Sequence, residues 1–480
     1  AGRFDQNPRE RRMNGGGEPI ISMLEAYARS STARFHMPGH KGVYGGGMAF
    51  ERIAPIDITE LGFSDDLHRP KGAIAASERA WADACGARGC FFLVNGSTAG
   101  VLAMLLSLGT GKRVLIGRDC HRSAIAALAL AGHQAIPVFP EAGTDGLGMV
   151  SAGAVDQTLT RVPCDAVFIT SPNYYGLCAD LRAIADAAHR HGALLFVDAA
   201  HGAHFPFSSL LPESPAGCAD AWVTSAHKTL CAFTQTALLM VSRGSGADEG
   251  AIGRALSMIM TSSPSYPLMA SLERALSLAR GGAWTEHVMR ITDVRERIGG
   301  FNGLSLLGNE RTGGHGISET DLTRLCVRVN GRGISGFDAL NSLMEHGVAA
   351  EMADLDHVVL ITSPNDPNEW YERLARALDA IPLGAEKPFI HHHVYSPRET
   401  VLSVREAAFS AMEFVPAERA AGRVAAAAFG IYPPGTALVF PGERIAPEDI
   451  AALTAFIGAR AGLFGVESNM VACVKENYDI

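Results

Sequence analysis

Between about residues 85 and 245 the chain repeats one pattern, a short apolar run followed by a helical stretch and then another apolar run. The runs are CFFLV, RVLIG, AIPVF, DAVFIT, ALLFVDAA, AWVT and TALLMV, and the clearest helical stretches are STAGVLAMLLSL, HRSAIAALALAG and DLRAIADAAHRHG. Alternation of this kind predicts a mostly parallel, seven-stranded sheet covered by helices on both faces. Such sheets bind ligands at the carboxyl ends of their strands. The polar residues just after each run are therefore where chemistry is expected.

The chain has 480 residues, more than one hydrophobic core usually supports. Beyond the large α/β domain (61–285, preceded by an N-terminal arm, 1–60), strand and helix patterns recur on a smaller scale in LTRLCVRV, GFDALNSLMEHG, HVVLIT and EWYERLARALDAI. These predict a small α/β domain over 286–385. After the polar join GAEKP, the segment 386–480 with its Pro/Gly-rich IYPPGTALVFPGERI predicts a C-terminal α+β domain.

The net charge of -9 leaves no basic footprint for nucleic acid or an anionic membrane, and suits a small cationic substrate. No apolar run is long enough to span a bilayer, and the start AGRFDQNPRERRMNGGGEP lacks the apolar core of a signal peptide. The nine cysteines include no CxxC pair and read as reduced thiols. A cytoplasmic location is expected.

Four strand ends carry the chemistry. NGST, from Asn95 to Thr98, opens a helix, so Gly96, Ser97 and Thr98 would offer backbone N–H groups and hydroxyls to an anion. His121 opens the helix after RVLIGRD. Asp198 ends ALLFVD, where a carboxylate behind five apolar residues needs a partner to stay charged. Lys228 stands in TSAHKTL, directly after AWVT. Together these are the groups that hold pyridoxal phosphate: a lysine for the Schiff base, a buried carboxylate for the pyridine nitrogen, and a phosphate loop.

The chain resembles the bacterial ornithine/lysine/arginine decarboxylases, fold type I pyridoxal phosphate enzymes, in their short form without an N-terminal wing. The matching stretches run in family order: HMPGHKG, DITEL with DDLHRPKGAI, NGSTAG, CHRS, SPNYYG, VDAAHGAHF, SAHKTL with FTQTA, SSPSYPLMASLE, and SPRE with YPPGTALVFPGERI. The resemblance implies that Lys228 carries the cofactor, that Asp198 pairs with its pyridine nitrogen and that His121 stacks on its ring. It implies a phosphate site of Ser97, Thr98, Ser225 and His227, completed across a homodimer interface by Thr261 and Ser262. Ala200 and His201 fall where the family packs against the cofactor, His40 near the entrance, and Glu413 where the family meets the distal cation of the substrate. The implied reaction is loss of carbon dioxide from a basic L-amino acid, arginine before lysine or ornithine, with His227 or Lys228 as candidate donors of the proton to the alpha carbon.

Two positions depart from the family pattern: Ala199 stands where an acidic residue usually follows the pyridine aspartate, and Ala226 where Thr or Val precedes the histidine. The same fold also supports transamination, elimination and oxidation, and a cofactor-binding scaffold is a further alternative, although a scaffold need not keep Lys228, Asp198 and His121 together. GTGKRV lacks the spacing of a nucleotide-binding P-loop. The run His391 to His393 has no ligand partner at metal-binding spacing.

Overall fold

The architecture is that of a computed structural model describing residues 18–30, 32, 34, 37–38, 41, 43, 48–141, 143, 145–386, 396–432, 435–458 and 461–475. His40 and the run 391–393 lie outside these residues. The centre is a seven-stranded sheet whose strands lie side by side in the order Ala87–Leu93, Ala237–Ser242, Ala221–Thr224, Leu194–Asp198, Ala166–Thr170, Arg113–Gly117 and Gln134–Val138. Ala237–Ser242 runs antiparallel to both neighbours and the other contacts are parallel.

Burial follows from the composition of the strands. Ala166–Thr170, Leu194–Asp198 and Ala221–Thr224 are buried almost throughout, as befits strands with helices on both faces. Pro137, which cannot donate to a ladder, sits in the edge strand Gln134–Val138. One apolar core lies on each face of the sheet. The larger collects Trp81, Phe92, Leu195 and Trp222 together with Ile20, Leu24 and Tyr27 of the N-terminal helix Pro19–Ala28. The second holds Met104, Leu128, Phe168 and Phe196.

Helix Ala283–Gly299 spans two cores, with Trp284 and Val288 in the large one and Ile291 and Ile298 in that of a four-stranded sheet. The small sheet is antiparallel throughout, in the order Met352–Ala353, His357–Ile361, Arg324–Arg328 and Ser305–Leu306. The C-terminal segment adds two three-stranded sheets and the helix Pro447–Gly458. It docks on the main sheet through Arg118, which is nearly inaccessible to solvent. That guanidinium donates to the carbonyls of Ala437 and Leu438, each at 2.9 Å, and pairs with Glu443 at 2.8 Å. Phe440 lies under the same group, 3.7 Å from its carbon to the ring centre. No described helix is long and apolar enough to cross a membrane.

Candidate active site

Two adjoining cavities open at the carboxyl ends of the strands, and Lys228, His121, Ser97 and Tyr174 line both. Lys228 belongs to the one-turn helix Ala226–Thr229 that follows strand Ala221–Thr224. Asp198 ends the neighbouring strand, and the helix Arg122–Ala131 starts beside them. Sheet order thus brings together groups separated by a hundred residues.

The inner cavity is lined by Asp119, Asp198, Ala200, His201 and Thr170 on the sheet side, with Ile431 and Thr436 arriving from the C-terminal segment. Lys228 Nζ lies 3.0 Å from His201 Nε2 and 5.7 Å from the centre of the Tyr174 ring. Desolvation lowers the lysine below its ordinary value, opposed by the Asp198 carboxylate and reinforced by Arg324. Asp198 accepts from the Ala200 N–H at 3.1 Å. Burial nevertheless raises its carboxyl above the usual range, against the pull of Lys228. A second cation at this carboxylate would offset that cost.

His121 caps its helix: Nδ1 accepts from the Ser123 backbone N–H at 3.2 Å, which leaves the neutral ring its proton on Nε2. Desolvation, then Lys228 and Arg122, push this histidine down to about 4. Gly435 permits the close approach behind the ring, since its φ is +89° and a Cβ there would stand 3.0 Å from His121 Cδ2. His227 has the opposite tautomer, with Nδ1–H donating to the Thr236 carbonyl at 2.8 Å.

The outer cavity is lined by Asn95, Gly96, Ser97, Thr98, Ser225, His227 and Thr229. Gly96 to Thr98 start the eleven-residue helix Gly96–Leu106, and Gly96 takes a φ of +72°. Ser225 Oγ and Thr229 Oγ1 are buried without hydrogen-bond partners among the described residues. Hydroxyls orphaned beside a helix N-terminus suit the oxygens of a phosphate. With the lysine and the carboxylate they fit pyridoxal phosphate, and no metal-ligating cluster occurs among the described residues.

Four groups in or beside the site were not assigned a role from sequence. Asp119, two residues before His121, has a buried Oδ1 with no hydrogen-bond partner among the described residues, and burial followed by the nearby Asp198 raises it to about 7. Tyr174 packs on His201 with ring centres 4.3 Å apart and donates a short hydrogen bond to Glu351. Arg324 reaches His201 from the small sheet. SPNYYG is a family stretch, but nothing local in it says that Tyr174 meets Glu351. Glu413 lies elsewhere in its own subunit: on the strand Met412–Pro416 it pairs with Arg423, and it lines neither of these two cavities. Thr261 and Ser262 are exposed on a loop, with the Thr261 carbonyl 2.9 Å from His68 Nε2. Ala199 and Ala226 are fully buried in the main core and are themselves in neither cavity lining, although each lies between lining residues, Asp198 and Ala200 for one and Ser225 and His227 for the other.

The sheet order and the lysine-bearing cleft define an enzyme of fold type I. Residues 18–308 match the family model for the Orn/Lys/Arg decarboxylase major domain and 388–463 that for its C-terminal domain, and the chain belongs to this family. It is 33% identical over 461 residues to an arginine decarboxylase of Halalkalibacterium halodurans, covering 90% of this chain and 92% of that protein. An arginine decarboxylase of Bacillus subtilis is 30% identical over 483 residues, with 95% and 98% covered. The structure of lysine decarboxylase A from Pseudomonas aeruginosa superimposes with a TM-score of 0.80 at 19% identity, over 96% of this chain and 81% of that one.

Proposed function

We propose that this protein is a pyridoxal phosphate-dependent decarboxylase of a basic L-amino acid, with arginine the preferred substrate, acting as a homodimer in the cytoplasm. One observation carries the reading: a desolvated lysine at the strand ends stands between a buried carboxylate and a cradle of unpaired hydroxyls. The arginine decarboxylases similar over nearly the whole chain support the substrate preference. The nine free cysteines accord with a reducing compartment.

In this reading Ser97, Thr98, Ser225 and His227 hold the phosphate, Lys228 the aldehyde carbon, and Asp198 the pyridine nitrogen. Bound there, pyridoxal phosphate supplies the electron sink that lets a bond from the alpha carbon to a carboxylate break. Asp198 keeps a proton on the ring nitrogen. Neutral His121, pinned by its capping bond, presents a flat uncharged face. Ala200 and His201, in the lining of the same cavity, would flank the ring. Lys228 and His227 are the groups placed to return a proton to the alpha carbon. Glu351, an exposed carboxylate of the outer cavity tied to Tyr174, gives the substrate's distal cation a partner on the same subunit. Thr261 and Ser262 would complete the phosphate site of the partner subunit.

The test is an assay of carbon dioxide and amine release with arginine, lysine and ornithine. One-to-one release, fastest with arginine, is expected. A keto acid with no carbon dioxide would place the protein among the transaminating enzymes of the fold instead.

A further inference from the structure

Arg324 is almost wholly inaccessible to solvent, yet its Nε and Nη1 atoms have no hydrogen-bond partner among the described residues. Burying a guanidinium with idle donors is expensive unless its charge does something. Its one hydrogen bond among the described residues runs from Nη2 to His201 Nδ1 at 3.3 Å, and on the other side of that ring Nε2 lies 3.0 Å from Lys228 Nζ. The three groups form a line from the strand Arg324–Arg328 to the lysine.

The donors in this line leave one arrangement. Arginine has only N–H donors and stays protonated, so the Nδ1 it meets carries the lone pair. The proton of a neutral imidazole then sits on Nε2 and points at Lys228. An ammonium there has no lone pair to accept it, whereas an uncharged amine does. We propose that Arg324 is a positioning residue which, through the tautomer it imposes on His201, holds Lys228 as the uncharged amine. This inference rests on the reading of Lys228 as the cofactor lysine.

The electrostatics agree with the geometry. Desolvation and the Arg324 guanidinium hold His201 well below its ordinary value, so the ring is neutral. The groups that bear on Lys228 come from every side: His201 and Asp198 from the sheet, His121 from its helix, Arg324 and Glu351 from the small sheet and its approach, and the Tyr174 ring. Asp198 and Glu351 favour the ammonium; burial and Arg324 oppose it. His204 reaches the same cluster by contact with Asp321, the carboxylate three residues before Arg324 and the charge that most offsets its burial.

Two measurements on the full-length chain freed of pyridoxal phosphate test the proposal, and neither uses cofactor or substrate. The first is nitrogen NMR of 15N-histidine protein, with His201→Asn to assign the signal. A proton on Nε2 of His201 is expected, and a proton on Nδ1 overturns the proposal. The second follows the labelling rate of Lys228 by formaldehyde and cyanoborohydride against pH, read by peptide mass spectrometry, in wild type, Arg324→Met and Arg324→Lys. The midpoint is expected to rise by about one pH unit in Arg324→Met and to stay with the wild type in Arg324→Lys, which keeps a cationic donor. An unmoved midpoint in Arg324→Met overturns the proposal, and should that variant not fold, the wild-type tautomer still decides. Failure of the wild type to take up pyridoxal phosphate would sink the functional reading and leave both results standing.

Discussion

At the scale of single residues, charge placement inside the cleft makes two predictions. Glu351→Gln removes the carboxylate that the outer cavity offers a cationic substrate. A hydrogen bond to a charged group contributes roughly 1.5–3 kcal/mol, so KM for arginine should rise about 10-fold or more while kcat changes much less. Steady-state kinetics check this, and an equal fall in kcat would show that Glu351 acts on the reaction instead. Asp119 has a folded value of about 7, above the ordinary carboxyl value, so the folded state holds its proton more tightly than the unfolded chain does. Its stabilising contribution is complete below about pH 4 and is lost as pH rises towards 7, at up to ~1.4 kcal/mol per unit. Asp119→Asn should flatten that slope in urea melts of the cofactor-free protein between pH 5 and 8. An unchanged slope would show that Asp119 is not protonated in the fold.

The same residues show what sequence can and cannot reveal. Lys228, Asp198, His121 and Ser97 were legible because each is a polar residue directly after an apolar strand, and the fold places all such residues at one edge. Arg324 and Glu351 were not legible as site members. Arg324 opens the strand Arg324–Arg328, and its meeting with His201, 123 positions away, depends on how the small sheet docks. Glu413 shows the converse: a motif position that reads as a substrate contact pairs with Arg423 in its own subunit.

At the scale of elements, the apolar runs mark all seven central strands, while the helix Ala152–Arg161, whose apolar face offers only Val155 and Leu159 as large side chains, gives too little signal to be read. The small region's sheet direction was likewise invisible, since antiparallel and parallel neighbours carry similar apolar runs when both faces are covered. The element contact of greatest consequence is that of the C-terminal segment with the loop before His121. Arg118, nearly inaccessible, ties the two through Glu443 and two carbonyls. Removing one member of a buried pair strands the other, at about 3–5 kcal/mol. Arg118→Ala should lose that much stability in denaturant titrations and weaken cofactor retention, because His121, Ile431 and Thr436 all hang on this joint. A loss below ~1 kcal/mol, the range of surface pairs, would show that the segment is held elsewhere.

At the scale of the whole molecule, the proposed dimer shares each site between subunits, Lys228 from one and Thr261 with Ser262 from the other. Lys228→Ala and a Thr261→Ala/Ser262→Ala double variant should each be inactive or nearly so. Mixed and refolded together, they should recover about a quarter of wild-type activity, since half the dimers then hold one site free of substitutions. No recovery would argue that each subunit builds its site alone.

If Lys228 carries the cofactor, chemical trapping reads it without relying on turnover. The pyridoxal phosphate-loaded protein is reduced with borohydride, digested and mapped by mass spectrometry. A pyridoxyl group is expected on the peptide containing Lys228 and absent from Lys228→Ala. A label on another lysine, or on none, would contradict it.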